Sequence, residues 1–305
     1  MKIKKKIQLY KEFGFLVAFS SFCSSAFRHP MAVTRWKDRC IVNWLKKNYE
    51  NVILKYKQKS FTKNSSDTKK IIWSIWWQGE ENAPEVVKIC FENMRKNCAS
   101  HELKIITKDN YTNYINLPEH IIKKVEAGMI TLTHLSDILR FYLLSRYGGM
   151  WIDATILVTE KIPEEIFERE YYVIRHEKNF NSYGVNMDRW ITFLQAAKKD
   201  NILCSFGYDF LIEYWKERTL LIDYMLIDYA VEIAYEEFSK CKEILDSVPL
   251  NNPDVDSLRP LLNSKWDAYK FEELKKTTTF FKLTWKHEFY KTISDKETFY
   301  GHIAK

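Results

Sequence analysis

Two aspartates and an arginine near the middle of the chain are the strongest candidates for chemistry. Asp137 and Arg140 are three residues apart, so both side chains lie on one face of a predicted helix. Asp153 follows a glycine pair and a short apolar run, which places it near the end of a buried strand, where open α/β sheets bind ligands. Taken singly, the first two residues fit a surface ion pair and Asp153 fits a turn residue. Their combination indicates a polar ligand site at a sheet edge.

The elements around these residues predict how they are positioned. A helix capped by Thr133 or its neighbour runs through Arg146, with an apolar face toward the core. Gly148 and Gly149 end it, and this pair is conspicuous because the whole chain has only 8 glycines. Residues 150–158 then read as a buried strand. Helix, glycine pair and strand together place Asp153 close to the helix that carries Asp137.

The remaining periodicity predicts an α/β nucleotide-binding domain with helical additions. Upstream, the pattern indicates strands over 71–76 and 103–107, a helix opened by Pro84, and short helices over 109–115 and 121–126. From about Trp190 the chain looks helical, over 191–199, 208–216 and 220–238, and residues 280–305 look strand- or loop-like. Two acidic residues in this helical part, Asp223 and Asp228, could face a bound substrate, but solvated charges are the favoured interpretation.

Composition excludes several classes of protein. The 305 residues are 46% hydrophobic and 29% charged, which excludes a disordered or polytopic membrane protein. The six cysteines include no CxxC pair, so neither a zinc site nor a disulfide framework is expected. The expected state is reduced thiols in a cytoplasmic protein. Aromatic residues make up 15%, which fits a bulky core or stacking on ring-shaped ligands about equally.

Charge is unevenly distributed along the chain. Residues 1–70 hold 17 Lys and Arg against 4 Asp and Glu, whereas the rest holds 30 against 36. The basic start also contains an apolar run, 13–19, which fits an amphipathic segment lying on an anionic membrane, an ordinary solvated helix or a signal peptide. The first is favoured, with residues 59–70 as a linker. No recognition motif accompanies the charge, so no nucleic acid is expected as a partner.

The run from Leu135 to Thr155 resembles the signature of GT-A glycosyltransferases. It is closest to the family-32 group, which includes the bacterial capsular polysaccharide synthesis proteins and is related to the clostridial toxin glucosyltransferases. The shared pattern is Ser-Asp-x-x-Arg, then Tyr-Gly-Gly, then aromatic-x-Asp-x-Asp. Residues 75–79 resemble the first strand of that group, and weaker similarity occurs at 190, 223–224 and 283–286. The resemblance covers residues 71–305, with 71–160 as the nucleotide-sugar core and 161–305 as the acceptor side and closing segment.

The resemblance implies roles for particular residues. Asp153 is the first Asp of a DxD motif near ribose, sugar and metal, and Asp137 and Arg140 hydrogen-bond sugar hydroxyls. The other implied contacts are to a UDP-sugar donor. Its uracil base would border Trp76, Trp77 and Gln78. Its ribose or sugar would pack near Trp151, and its diphosphate would contact Trp285 and Lys286.

Thr155 departs from the pattern because it replaces the second Asp of DxD, usually a metal ligand. A hydroxyl is a weaker ligand than a carboxylate for Mg²⁺ or Mn²⁺. Three outcomes follow: a metal held by Asp153, the diphosphate and His302 or His287; a diphosphate neutralised by Lys286 and its neighbours with little help from metal; or a relative that only binds.

The resemblance therefore implies transfer of a hexosyl group from a UDP-sugar to a hydroxyl, with retention. The expected acceptor is a lipid-linked or growing capsular or exopolysaccharide chain, and the expected place is the inner face of the bacterial plasma membrane. Two alternatives remain: a catalytically silent sugar-nucleotide-binding scaffold of a capsule assembly, or a peripheral lipid- or nucleic-acid-binding protein whose motif is coincidental.

Overall fold

The N-terminal segment forms three helices that pack on the rest of the molecule. A computed structural model describes residues 3–59, 70–98 and 100–305, with side chains from residue 7 onward, so the predicted linker lies almost entirely outside the described residues. The helices are α1 (Ile3–Ala26), which is kinked at Gly14, α2 (Met31–Asn48) and α3 (Glu50–Gln58). Their buried side chains, such as Phe13, Leu45 and Tyr49, belong to the same continuous hydrophobic core as the body. Residues 7–58 are thus docked on the body.

The central sheet has five strands in the order β2-β1-β3-β6-β5. Three of them, β1 (Ile71–Ile75), β2 (Glu102–Ile106) and β3 (Gly149–Ile152), are mutually parallel. Strand β6 (Ile191–Ala197) pairs antiparallel with β3, and β5 (Tyr171–Ile174) pairs antiparallel with β6 at the edge. Strand β4 (Ile156–Val158) lies outside this sheet. The parallel half confirms the predicted α/β, Rossmann-like class.

Helices connect the parallel strands, as the sequence predicted. They are α4 (Glu85–Asn97), α5 (Glu119–Glu126) and α6 (Leu132–Tyr147). Thr131 caps α6, two residues before the predicted cap, and its side chain accepts a hydrogen bond from the His134 backbone. Gly149 has a φ of 96°, and a Cβ there would lie 2.3 Å from the Ile71 carbonyl oxygen. Only glycine therefore lets β3 start so close to β1.

Two predicted elements are wrong in kind or extent. The strand predicted over 150–158 is divided by a turn at residues 153–155, and β4 leaves the main sheet to pair with β7 (Phe280–Lys282). Residues 191–199 were predicted as helix, but 191–197 are β6. Its burial runs continuously over the last four residues instead of alternating, because the sheet is covered on both faces there. A strand buried on both faces lacks the period-2 pattern that separates strand from helix.

The C-terminal half is largely helical, which confirms the predicted helical additions. Its elements are α7 (Glu165–Glu168), α8 (Ile202–Glu217), α9 (Leu226–Glu237), α10 (Ser239–Asp246), α11 (Ala268–Lys275), β8 (Thr292–Ile293), β9 (Lys296–Glu297) and α12 (Phe299–Ile303). Helix α8 approaches α6 closely, because a Cβ on Gly207 would lie 2.5 Å from the Phe141 ring. Within the described part of the chain, no helix is both long and apolar enough to span a membrane.

Candidate active site

Asp153 is the centre of the site and follows directly after β3. Its Oδ1 accepts hydrogen bonds from Arg140 Nη2 at 2.9 Å and from the Trp151 indole at 2.8 Å. Its Oδ2 accepts one from Lys282 Nζ at 2.9 Å, brought in by the pairing of β4 with β7. Burial raises the pKa of this carboxyl, but Lys282, Arg140 and the hydrogen bonds outweigh it and hold the pKa below its ordinary value. Asp153 is therefore an ionised carboxylate held by two cations.

Asp137 and Arg140 lie on the buried face of α6, behind Asp153. Both are nearly inaccessible, with 6% and 3% of their surface exposed, so the surface ion pair is the wrong interpretation. Arg140 Nη1 donates to the Thr192 carbonyl at 2.6 Å, and its Nη2 lies 3.6 Å from Asp137 Oδ1. The ring of His134 approaches the other Asp137 oxygen at 3.3 Å. This buried network fixes the position of the Asp153 carboxylate.

A cavity of about 560 Å³ opens in front of Asp153. Its walls include seven predicted site residues: Asp153, Thr155, Trp76, Trp77, Gln78, Trp285 and Lys286. The rings of Trp76 and Trp285 meet edge to face with centroids 6.0 Å apart, which joins the segment after β1 to the segment after β7. The Trp76 indole N–H is buried and has no hydrogen-bond partner among the described residues. The cavity thus offers aromatic walls and an unpaired donor to a ligand.

Three predicted site residues, Trp151, Asp137 and Arg140, do not line this cavity. Trp151 is fully buried beneath it, with the Arg140 guanidinium 5.2 Å from the ring centroid. Asp137 and Arg140 reach the cavity only through Asp153. Their predicted contact with sugar hydroxyls stays a prediction, whereas the contacts of Arg140 with Asp137 and with Asp153 are observed.

Sequence reasoning missed two cations and a tyrosine in the same cavity. Lys282, Arg259 and Tyr224 all line it, and Lys282 is the partner of Asp153. Lys282 directly precedes the segment 283–286 that resembles the family, but its partner lies 129 residues away in the chain. No local pattern encodes a pairing over that distance, so only the β4-β7 register reveals it.

The residues around Asp153 do not fit a divalent cation as they stand. Both carboxylate oxygens are occupied by Arg140, Trp151 and Lys282, and Thr155 supplies no second carboxylate. The ring of His302 stacks on Trp266, with centroids 3.6 Å apart, and is not part of the cavity wall. In the ranges that the structure describes, no three His, Cys, Asp or Glu residues are grouped so that they could hold a metal.

Asp228 is buried, which contradicts the solvated charge favoured from the sequence. It is 1% exposed and lies 3.5 Å from the Asn186 side-chain amide. Burial, together with the nearby charge of Asp137, raises its pKa to about 8. Asp223 is paired with Lys37 of α2 at 2.8 Å. Neither aspartate is the free surface charge that its position in a helical segment suggested.

Comparison with known proteins gives a family match over most of the chain. Residues 26–303 match the family model described as capsular polysaccharide synthesis protein. A curated relative from Fusarium pseudograminearum (strain CS3096), "Probable glycosyltransferase FCK3", is 24% identical over 198 residues, which are 56% of this chain and 46% of that protein. The chain thus spans less than half the length of this relative. The match to a solved structure, "PaToxG Glycosyltransferase", covers 71% of this chain and 83% of the solved chain. The two are 14% identical in sequence, with a TM-score of 0.38.

Proposed function

The chain belongs to the family of capsular polysaccharide synthesis proteins, and we propose that it is a glycosyltransferase. The proposed reaction moves a hexosyl group from a UDP-sugar to a hydroxyl of a lipid-linked or growing capsular polysaccharide, with retention. The observation that carries the proposal is the cavity itself, in which three tryptophans and several cations surround an ionised Asp153. A nucleoside diphosphate sugar combines an aromatic base, a dianionic centre and hydroxyls, and this cavity offers a complement to each.

The electrostatics of the cavity suit the departure of a diphosphate. When the bond from the anomeric carbon to the diphosphate oxygen breaks, negative charge develops on the leaving UDP. Lys282, Lys286 and Arg259 line the cavity and can neutralise that charge. This arrangement supports the hypothesis in which cationic side chains stabilise the leaving group with little help from metal. A requirement for Mn²⁺ or Mg²⁺ stays a prediction, which donor binding measured with and without the metal tests.

Asp153 and its buried partners would position the sugar. A carboxylate accepts hydrogen bonds from hydroxyls, and Asp153 stays ionised because Lys282 and Arg140 lower its pKa. Arg140 and Asp137 act through Asp153, so they are positioning residues in this proposal. Trp76 would donate its unpaired indole N–H to the donor and, with Trp77, border the base.

The outer face of α1 supports a membrane surface as a partner. Phe15 and Leu16 are 62% and 63% exposed. Phe19 and Phe22, also on α1, and Trp36 on α2 add further exposed aromatic surface. Several of the basic residues, by contrast, are paired with the acidic body, as in Lys46 with Glu236 at 2.7 Å. We therefore propose that aromatic side chains contribute more to a peripheral contact with the inner face of the plasma membrane than the sequence charge suggests.

A second candidate is a scaffold that binds a sugar nucleotide without transferring the sugar. Thr155 favours it, because the usual second carboxylate is missing, and so does the saturation of Asp153 by protein donors. Both candidates require donor binding, so they differ only in turnover.

Thermal unfolding with a panel of UDP-, GDP- and CMP-sugars, each with and without Mn²⁺, tests donor binding. Ligands that bind the folded state raise the melting temperature by mass action. We expect a shift confined to UDP-sugars, which Lys286→Ala reduces and the exposed Lys296→Ala does not. A shift strengthened by Mn²⁺ would restore the metal prediction. UDP release measured on the same samples separates the enzyme from the scaffold, and no shift with any nucleotide sugar would overturn both.

A further inference from the structure

A second cavity of about 510 Å³ adjoins the donor cavity. Thr133, Tyr224 and Lys286 line both cavities, so they form the boundary between them. On the far side of this boundary the walls come from α1, from the start of α6 and from the segment before α9. The two cavities are therefore neighbours, and Lys286, one of the cations of the donor cavity, lies at their boundary.

The second cavity has the chemistry of a site for a hydroxylated, partly apolar molecule. Its polar wall includes Ser21, Ser25 and His29 of the N-terminal segment, and its apolar wall includes Leu9 and the run 220–222. The hydroxyl of Ser21 is buried and has no hydrogen-bond partner within the described residues. A buried hydroxyl without a partner costs free energy, and a bound ligand would remove that cost.

Tyr224 is placed to contact ligands in both cavities. It is 64% exposed, although its ring packs edge to face on His134 with centroids 5.7 Å apart. Next to it, Asp223 is held by Lys37 of α2, which joins the N-terminal helices to this boundary. An aromatic ring at a junction between two polar cavities is suited to stacking on a sugar.

We infer that the second cavity binds the sugar acceptor, and that the N-terminal helix α1 forms one of its walls. The inference rests on the proposed transferase function. The acceptor would place a sugar at the Thr133, Tyr224 and Lys286 boundary and its apolar part along Leu9 and residues 220–222. The acceptor oxygen then forms a bond to the anomeric carbon of the donor, while the bond from that carbon to the diphosphate breaks. The electron pair leaves with UDP, and the acceptor proton passes to the departing diphosphate.

This assignment gives the N-terminal segment a direct part in acceptor binding. The helix that carries the exposed Phe15 and Leu16 also contributes Leu9, Ser21 and Ser25 to the cavity. An acceptor anchored in a membrane would thus meet one helix at both its apolar and its hydroxylated parts. A helix that serves only as an anchor need not line a cavity beside the donor cavity.

The test uses Ser25→Trp, which fills the second cavity from an exposed position, with Ser247→Trp as the matched control outside both cavities. The probes are octyl glucoside, octyl galactoside, octyl mannoside and octyl N-acetylglucosaminide below their micelle concentrations. Binding is followed by saturation-transfer NMR and turnover by UDP release. We expect at least one glycoside to bind and to stimulate UDP release. Ser25→Trp should weaken that binding by about tenfold or more, whereas Ser247→Trp leaves it unchanged.

The outcomes separate this inference from the transferase proposal. Stabilisation by UDP-sugars should be the same in Ser25→Trp and in the wild type, because Ser25 lies outside the donor cavity. If UDP-sugars stabilise the protein but no glycoside binds, or if Ser25→Trp binds glycosides as well as the wild type does, the acceptor assignment is overturned alone. If no nucleotide sugar stabilises the wild type, the transferase proposal fails and the assignment fails with it.

Discussion

Lys282 donates a hydrogen bond to Asp153 at 2.9 Å, although the two residues are 129 positions apart in the chain. This contact places a positive charge in the wall of the first cavity, beside the acidic residue of the motif. The nearby Thr155 supplies no carboxylate, so in the proposed transferase Lys282 would contribute positive charge next to the diphosphate.

Replacing Lys282 by methionine should weaken the donor site while the fold is retained. Methionine keeps much of the side-chain volume and removes the charge, so Asp153 retains only Arg140 as a cationic partner. We expect kcat/KM for UDP release to fall by about tenfold or more. Steady-state kinetics at several UDP-sugar concentrations measure this, with Lys296→Met as the control. Equal kinetics in the two variants would remove Lys282 from the proposed machinery.

Replacing Arg140 by methionine should destabilise the protein strongly. The change leaves the carboxylates of buried Asp137 and half-buried Asp153 without their guanidinium partner. Breaking a buried charge pair by removing one member costs about 3–5 kcal/mol of unfolding free energy. Urea unfolding followed by circular dichroism gives the value. Arg146→Met on the exposed side of the same helix should change stability by less than about 0.5 kcal/mol, and similar losses in both variants would contradict the network.

Stability should depend on pH through Asp228. Its pKa is raised to about 8 by burial, whereas the unfolded carboxyl titrates near its ordinary value, so the unfolded state binds fewer protons between about pH 4 and 8. The wild type should therefore lose stability across this window as pH rises. Asp228→Asn stays neutral, and its stability relative to the wild type should increase from pH 5 to pH 8. Urea midpoints at four pH values measure the difference.

The control for this pH effect is Asp109→Asn, because Asp109 is exposed. Its stability relative to the wild type should not change over the same range. A constant difference for Asp228→Asn as well would mean that Asp228 is ionised in the folded protein.

Apolar contacts should hold the N-terminal helices on the body more firmly than ion pairs do. Leu45 is completely buried, whereas the neighbouring Lys46 pairs with Glu236 and Glu237 at the surface. We expect Leu45→Ala to cost about 2–5 kcal/mol and Lys46→Ala about 1 kcal/mol or less. Urea unfolding of both variants makes the comparison. A larger cost at Lys46 would show that charge governs the docking.

Binding to anionic vesicles should depend on the exposed aromatic face of α1. Replacing Phe15 and Phe19 by serine removes apolar surface that would enter the headgroup region, so cosedimentation with phosphatidylglycerol vesicles should fall by about tenfold. Tyr269, which is 76% exposed on α11, provides a control as Tyr269→Ser. Unchanged sedimentation of the double variant would leave the basic residues as the only support for a membrane partner.

The sequence predicted those parts of the molecule whose signals are local. The order of strand, helix and glycine pair was sufficient to place Asp153 at the end of β3, and α6 begins only one residue before the predicted cap. The parallel half of the sheet was also predictable, because helices separate its strands. In the site, the segment after β1 and the segment after β7 do share a cavity.

What the sequence did not reveal depends on burial and on contacts distant in the chain. Residues 191–197 lack a strand-like alternation because β6 is covered on both sides. Asp228 was assigned to solvent because most aspartates are exposed, and only its packing shows otherwise. The basic N-terminal residues gave no indication that Lys37 and Lys46 find partners on α9 and just before it.

The contact between Gly149 and the Ile71 carbonyl bears on how the specificity of this cavity could change. Strand β1 leads to Trp76 and Trp77 and strand β3 leads to Asp153, so the spacing between these strands affects the spacing between two walls of the cavity. A Cβ at residue 149 would lie 2.3 Å from the Ile71 carbonyl oxygen, so even an added methyl group would force the backbones to shift. In the proposed transferase, such a shift would alter donor preference without any change in the residues that line the cavity.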